Sequence, residues 1–244
     1  MGDTIVVPNP ESAGSKDHQV REMFSRIAPT YDLLNRLLSF GIDQRWRRYA
    51  IRRLAYESPA QVLDLCGGTG DFGTELLKAR PDDTVHNADF SMPMLERASK
   101  RLTEFGPRHG VLCGDALGLP FEDGQFDIGL CGFGVRNWSN LERGLHEVRR
   151  VLRSSGEFAI LDFLKVEQGF SDRLGRVYVN HILPTVGSLI SRDRQAYRYL
   201  ARSMDAFCSA EEFRGVVREN GFEISEEKRF FMGMCWFFLL KKTS

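Results

Sequence analysis

The chain has 244 residues, of which 33 are basic and 33 acidic, no formal net charge at neutral pH, and 42% hydrophobic content. That length and apolar content suffice for one sizeable core, and the charge balance removes any whole-chain pull toward nucleic acid, so no such partner is expected. The five cysteines, Cys66, Cys113, Cys131, Cys208 and Cys235, are odd in number and never spaced as CxxC, which argues against a disulfide framework or a zinc site and for a reducing cytosol.

Met1 to Asp17 is polar, carries Pro8, Pro10 and Gly14, and reads as a loose tail without an apolar run of secretory length. From Val20 to Leu38 apolar residues recur at helical spacing, interrupted at Ala28-Pro29-Thr30, which predicts two short helices and a hinge. Asp43 to Leu54 interleaves Arg45, Arg47, Arg48, Arg52 and Arg53 with Trp46, Tyr49 and Ile51, a basic amphipathic helix. Such a helix either lays a solvated face over the core or rests on anionic lipid with Trp46 and Tyr49 near the headgroups.

The organising stretch comes next. A short apolar run, Gln61 to Leu65, enters Cys66-Gly67-Gly68-Thr69-Gly70 and leaves as a helix from Asp71 to Leu77. Strand, tight turn and helix in that order form a nucleotide-binding turn, with glycines where the chain reverses and where the backbone approaches a ligand. No Lys-Ser/Thr pair follows to grip a phosphate, and the order Asp-x-x-Gly-Gly-Thr-Gly departs from G-x-G-x-x-G, so a ligand without a phosphate chain fits better. Asp89 follows Gly70 by nineteen positions, after the strand Thr84 to Ala88, a spacing suited to a carboxylate that accepts both ribose hydroxyls.

The alternation continues. A helix from Met92 to Leu102 has Ser91 as its cap and Pro93 in its first turn, and a strand around Gly110 to Cys113 ends at Gly114-Asp115. Phe126 to Gly132, Asn140 to Leu152 and Glu157 to Phe163 read as strand, helix and strand, which implies right-handed crossovers and a parallel sheet. Leu164 to Phe207 breaks the pattern as a helical insertion, placed where a substrate lid would sit. Ser209-Ala210-Glu211-Glu212 is a capping box opening a last helix that stops at Asn220-Gly221. Phe222 to Lys228 and Met232 to Lys241 then pair as a hairpin across Arg229 to Phe231, which makes the last strand antiparallel. Its run Met234-Cys235-Trp236-Phe237-Phe238 reads as sheet core.

The glycine turn, Asp89, Asp115 and the terminal hairpin together resemble the class I S-adenosylmethionine-dependent methyltransferases, with Cys66 in place of the usual first glycine. Three further blocks, Tyr31 to Gly41 followed by Trp46, Phe133-Gly134-Val135-Arg136-Asn137, and Leu183-Pro184 through Asp193 to Leu200, resemble the menaquinone and ubiquinone biosynthesis C-methyltransferase family. The resemblance implies an α/β fold, a Rossmann-like three-layer sandwich with a seven-stranded, mostly parallel sheet. It implies a single domain over 1–244: a tail (1–19), an N-terminal helical segment (20–55), a cofactor-binding core (60–163), a lid (164–207), and a final helix and hairpin (208–244). S-adenosyl-L-methionine is the implied cofactor, with no metal. Asp64 and the backbone of Gly67, Gly68, Thr69 and Gly70 would surround its methionine part and ribose. Asp89 would hold the ribose hydroxyls with Phe90 after it, and Asp115 the adenine amino group with Ala116 beside it.

The implied reaction methylates a ring carbon of a polyprenylated hydroquinone: demethylmenaquinol, a ubiquinol precursor, or another aromatic small molecule on the same scaffold. A protein that binds the cofactor without turnover is the distant alternative, and the glycine order disfavours a nicotinamide oxidoreductase. A sulfonium methyl is already activated, so the enzyme must align the acceptor carbon, exclude water and accept a hydroxyl proton. Arg136 and Asn137, directly after a strand's carboxyl end, are candidates for holding the ionising oxygen. Asp32, Asp43, His181 and Tyr197 are candidate proton acceptors, and Leu183, Ile190 and Tyr199 candidate covers for the ring or first prenyl units. The lipid-soluble quinol implies a cytoplasmic protein in peripheral contact with the inner face of the membrane. Asp43 departs from the family's usual histidine, Arg153-Ser154-Ser155-Gly156 from a Lys-Pro-Gly-Gly turn, and Asp162 from a glutamate.

Overall fold

A computed structural model describes residues 16–39, 41–165, 199 and 202–243. The expected tail and most of the expected lid, with His181, Leu183, Ile190 and Tyr197, lie outside the described residues. Three helices open the chain: α1 (Lys16–Ile27), α2 (Tyr31–Leu38) and α3 (Ile42–Arg53). The hinge at Ala28-Pro29-Thr30 is present, closed by a Thr30 N–H to Ile27 carbonyl bond of 2.9 Å.

The core alternates β1 (Gln61–Leu65), α4 (Asp71–Ala79), β2 (Thr84–Asp89), α5 (Met92–Leu102), β3 (His109–Cys113), β4 (Phe126–Gly132), α6 (Leu141–Val151) and β5 (Leu152–Phe163). Then come α7 (Ala210–Glu219), β6 (Phe222–Phe230) and β7 (Cys235–Lys242). These strands form one seven-stranded sheet in the order β3-β2-β1-β4-β5-β7-β6, with β7 antiparallel to both its neighbours and the other pairs parallel.

Sheet period explains the two cores. Along β1, Leu63 and Leu65 face α6 and α7 in a cluster with Phe158, Phe213 and Phe238, while Val62 faces α3 and α4 with Leu76, Leu130 and Phe237. Both faces of the central strands are covered, so β1, β4 and the second half of β5 are buried almost continuously. Accordingly Cys235, Phe237, Phe238, Leu239 and Leu240 of β7 are all buried, as expected of sheet core.

Three local expectations are corrected. β5 begins at Leu152, directly at the end of α6, rather than at Glu157; the register slip between Phe126 and Ile128 absorbs the extra residues, and Ser155 turns at φ 62°. The hairpin connection is a 3-10 turn, Phe231–Gly233, with Phe231 and Gly233 at φ 45° and 85°, so β6 runs on to Phe230. Ser91 occupies the N-cap of α5 but makes no side-chain cap; its hydroxyl lies 3.0 Å from that of Ser25, tying α1 to the core. The capping box at Ser209 and Glu212 is complete, and Gly221 ends that helix at φ 79°.

Candidate active site

Strand order reverses between β1 and β4, and a crevice opens there beyond the carboxyl ends of the parallel strands. The turn after β1 fills one side of it. Gly68 and Gly70 stand at φ 55° and 81°, and a Cβ at Gly67 would lie 2.6 Å from the Asn87 amide nitrogen, so the turn demands glycine. Asp89, at the end of β2, accepts from the Gly68 N–H through Oδ2 and from the Ser91 N–H through Oδ1, both at 2.9 Å. Burial pushes its carboxyl up to about 6 in spite of those bonds. Asp64 lies below the turn with no exposure, accepting from the Gly73 N–H at 2.9 Å through Oδ2. Burial raises it to about 7, and its Oδ1 has no partner among the described residues.

The crevice is an open cavity. Gly68, Asp89, Phe90, Asp115 and Ala116 line it together with Phe24, Tyr31, Phe133, Asn137 and Trp138. Of the residues expected around the cofactor, Asp64, Gly67, Thr69 and Gly70 are not in the wall; they underlie it. Asp115 accepts from the Leu117 N–H at 2.9 Å, which shapes its loop.

The expected catalytic residues separate. Asn137 lines the cavity, donates to the Phe133 carbonyl at 3.2 Å and accepts from the Tyr199 hydroxyl at 3.0 Å. Arg136 lies behind the wall, donating to Asp162 and to the Phe133 carbonyl, each at 2.6 Å, while Asp162 also accepts from the Arg136 backbone N–H. Burial acts to lower the guanidinium, but Asp162 outweighs it and holds the pKa above its ordinary value. Its Nε is buried without a partner among the described residues.

Asp43 and Asp32, expected as proton acceptors, are engaged by arginines and are not part of the cavity lining. Asp43 is 2% exposed and accepts from Arg36 at 2.5 Å, Arg47 at 2.7 Å and Ser39 at 2.7 Å. Burial works to raise its carboxyl, but Arg47, Ser39 and Arg36 hold it below the ordinary range, the wrong direction for a base. Asp32 pairs with Arg101 and accepts from the Thr69 hydroxyl at 2.6 Å. Trp46 is likewise no headgroup anchor: it is buried, stacked on Phe230 at 5.8 Å and packed against Phe133 and Phe163. The Tyr49 hydroxyl turns inward to Glu226 at 2.6 Å.

Phe24, Tyr31 and Trp138 were not singled out from sequence as site residues. Tyr31 opens one of the quoted blocks, yet nothing local says that its ring crosses from α2 to the turn, where it would come 3.9 Å from a Cβ at Gly68.

The fold and the cavity define a class I methyltransferase. A solved S-adenosylmethionine-dependent methyltransferase from Aquifex aeolicus superposes over 86% of this chain and 93% of its own with a TM-score of 0.61 at 16% identity, a likeness of fold. The family model described as the ubiE/COQ5 methyltransferase family matches residues 12–241, and the chain belongs to that family. A Thermus thermophilus relative named demethylmenaquinone methyltransferase is 43% identical over 84% of this chain and 93% of its own. One from Syntrophotalea carbinolica, named ubiquinone/menaquinone biosynthesis C-methyltransferase UbiE, is 41% identical over 83% and 85%. The protein is thus an S-adenosylmethionine-dependent methyltransferase. The residues fit that cofactor: the buried Asp89 is held by backbone N–H groups beside a glycine that leaves the approach open.

Proposed function

We propose that this enzyme methylates a ring carbon of a polyprenylated hydroquinone, with demethylmenaquinol going to menaquinol as the reaction. The observation that carries the reading is the mixed lining of one cavity: the carboxylates Asp89 and Asp115 together with the rings of Phe24, Tyr31, Phe133 and Trp138 and the Asn137 amide. The carboxylates suit a nucleoside; the rings and the amide suit a flat apolar ring with one polar substituent. The names of the Thermus and Syntrophotalea relatives supply the substrate class, and the second supports a ubiquinol precursor as the other acceptor.

Bound S-adenosylmethionine supplies an activated methyl on a sulfonium. Asp89 would accept the ribose hydroxyls, with Phe90 next to it; Gly68 would face the methionine part, backed by Gly67, Thr69, Gly70 and Asp64, and Asp115 and Ala116 would receive the adenine. The Asn137 side chain and the Tyr199 hydroxyl orient the acceptor's ring oxygen, and the aromatic wall excludes water. Arg136 holds the Phe133–Asn137 loop in place and offers a positive field to the oxygen as it loses its proton. A positioning role suits Arg136 better than direct contact, because its Nη1 donates to Asp162 and to the Phe133 carbonyl and the side chain is not part of the cavity lining.

The lipid tail requires contact with a bilayer. Arg45, Arg48, Arg52 and Arg53 of α3 are exposed and form the surface proposed to meet anionic headgroups. Among the described residues no helix is long and apolar enough to cross a membrane, so the contact is peripheral in this reading.

The test is transfer of labelled methyl to demethylmenaquinol and, in parallel, to a demethylated ubiquinol precursor. Wild type is expected to label at least one quinol, Asp89→Ala to fail through weak cofactor binding, and Asn137→Ala to bind cofactor but transfer poorly. Tight cofactor binding with label in neither quinol overturns the quinone reading.

A further inference from the structure

Two thiols meet at the cavity wall, and methyl transfer uses neither. Cys66 is half-buried, lines the cavity, and stands at φ 53° in the place where this class of turn usually carries glycine. The Trp138 indole N–H donates to its Sγ at 3.3 Å. Cys131 sits on β4, paired across the ladder with Leu65, and is fully buried. Gly134 is what allows the two side chains to converge: a Cβ there would lie 3.0 Å from the Cys66 Sγ and 2.9 Å from the Cys131 Sγ. The two sulfurs thus flank one point, each within 3.0 Å of it.

We propose that Cys66 and Cys131 form an oxidation-sensitive dithiol, which hydrogen peroxide entering the cavity converts into an intramolecular disulfide that disables cofactor binding. Only Cys66 reaches the cavity, so it is the residue attacked first. Its thiolate displaces at the peroxide O–O bond, giving a sulfenic acid and a hydroxide that leaves as water after taking a proton. The Cys131 sulfur then attacks the sulfenic sulfur; the S–S bond forms, the S–O bond breaks, and the hydroxyl departs with the Cys131 proton as a second water. Two thiols are oxidised by two electrons and one peroxide is reduced to two waters. Drawing the Cys66 sulfur toward Cys131 takes it from the Trp138 indole, so two wall residues lose their positions together.

The test treats the fully reduced enzyme with hydrogen peroxide, with and without bound S-adenosylhomocysteine, followed by peptide mass mapping and cofactor titration. The expected result is a Cys66–Cys131 linked peptide lighter by two hydrogens, a cofactor Kd raised at least tenfold, slower formation with ligand bound, and recovery of both properties with dithiothreitol. In Cys131→Ala, Cys66 is expected to pass on to sulfinic acid, which dithiothreitol does not restore. Should that variant fail to fold, the wild-type map still decides. Wild type in which exposed Cys113 is oxidised while Cys66 and Cys131 stay unlinked overturns the proposal, as does a linked pair that leaves the cofactor Kd unchanged.

Discussion

Asp89 and Asp64 are both carboxyls that burial holds above their ordinary pKa, to about 6 and about 7, and this couples the site to pH in two ways. In the role proposed for it, Asp89 must be ionised to accept two hydroxyls, so cofactor affinity is expected to fall as pH drops below about 6. Calorimetric titration from pH 5 to 8 checks this; in Asp89→Asn the affinity should be lower throughout and flat over that range. For folding the sign is opposite. A carboxyl raised in the folded state contributes stability below its unfolded pKa and loses it as pH rises through its folded value. Without cofactor, Asp64 therefore weakens the protein above about pH 7. Asp64→Asn keeps an acceptor for the Gly73 N–H and cannot ionise, so it is expected to gain on the order of 2 kcal/mol at pH 8.5. Parallel unfolding curves for the two proteins from pH 6 to 8.5 would contradict that account. The acidic residues of the turn were legible from sequence because glycine order and strand length are local signals. Their protonation was not, because it depends on what covers them.

At the scale of elements, the N-terminal helices are joined to the core by charge. Arg36 on α2 bridges Asp43 on α3 and Asp71 at the start of α4, and Arg101 on α5 binds both Asp71 and Asp32. Asp43 is thus the buried anchor of a network that holds Tyr31 over the cavity. Removing its charge leaves Arg47, itself 4% exposed, without its carboxylate, a loss that costs about 3 kcal/mol or more. Asp43→Asn is expected to unfold correspondingly earlier in urea and to bind cofactor more weakly, while keeping the reaction's pH profile. A profile that shifts instead would restore Asp43 as a proton acceptor. Gly144 on α6 makes a second element-scale test. A Cβ there would stand 2.2 Å from the Trp138 ring, so Gly144→Ala should cost about 1–3 kcal/mol and crowd the cavity wall. Helix periods announced α2 and α3 as amphipathic; only packing showed that Asp43, Trp46 and Arg47 form the inward face while four other arginines stay outside.

Across the whole molecule, the exposed arginines of α3 are partly compensated, Arg53 by Glu226 at 2.6 Å and Arg48 by Glu75 at 3.7 Å. Binding to vesicles is therefore expected to require anionic lipid and to fall with salt, since exposed charges are screened over about 10 Å at 0.1 M. Sedimentation with phosphatidylglycerol vesicles, comparing wild type with Arg45→Glu/Arg52→Glu, checks it; equal binding by both places the contact elsewhere. The sequence by itself determined the order of strands and helices, the glycine turn and the antiparallel last strand, because these follow from apolar period, turn chemistry and connection length, all readable within a few residues. Tertiary structure alone decided which polar residues face the cavity. Asp32, Asp43 and Arg136 are engaged by partners from other elements, and Phe24, Tyr31 and Trp138 reach the wall across the fold. The physical reason is that a side chain's chemistry is set by its neighbours' charge and by its access to water, and neither exists until distant segments pack together.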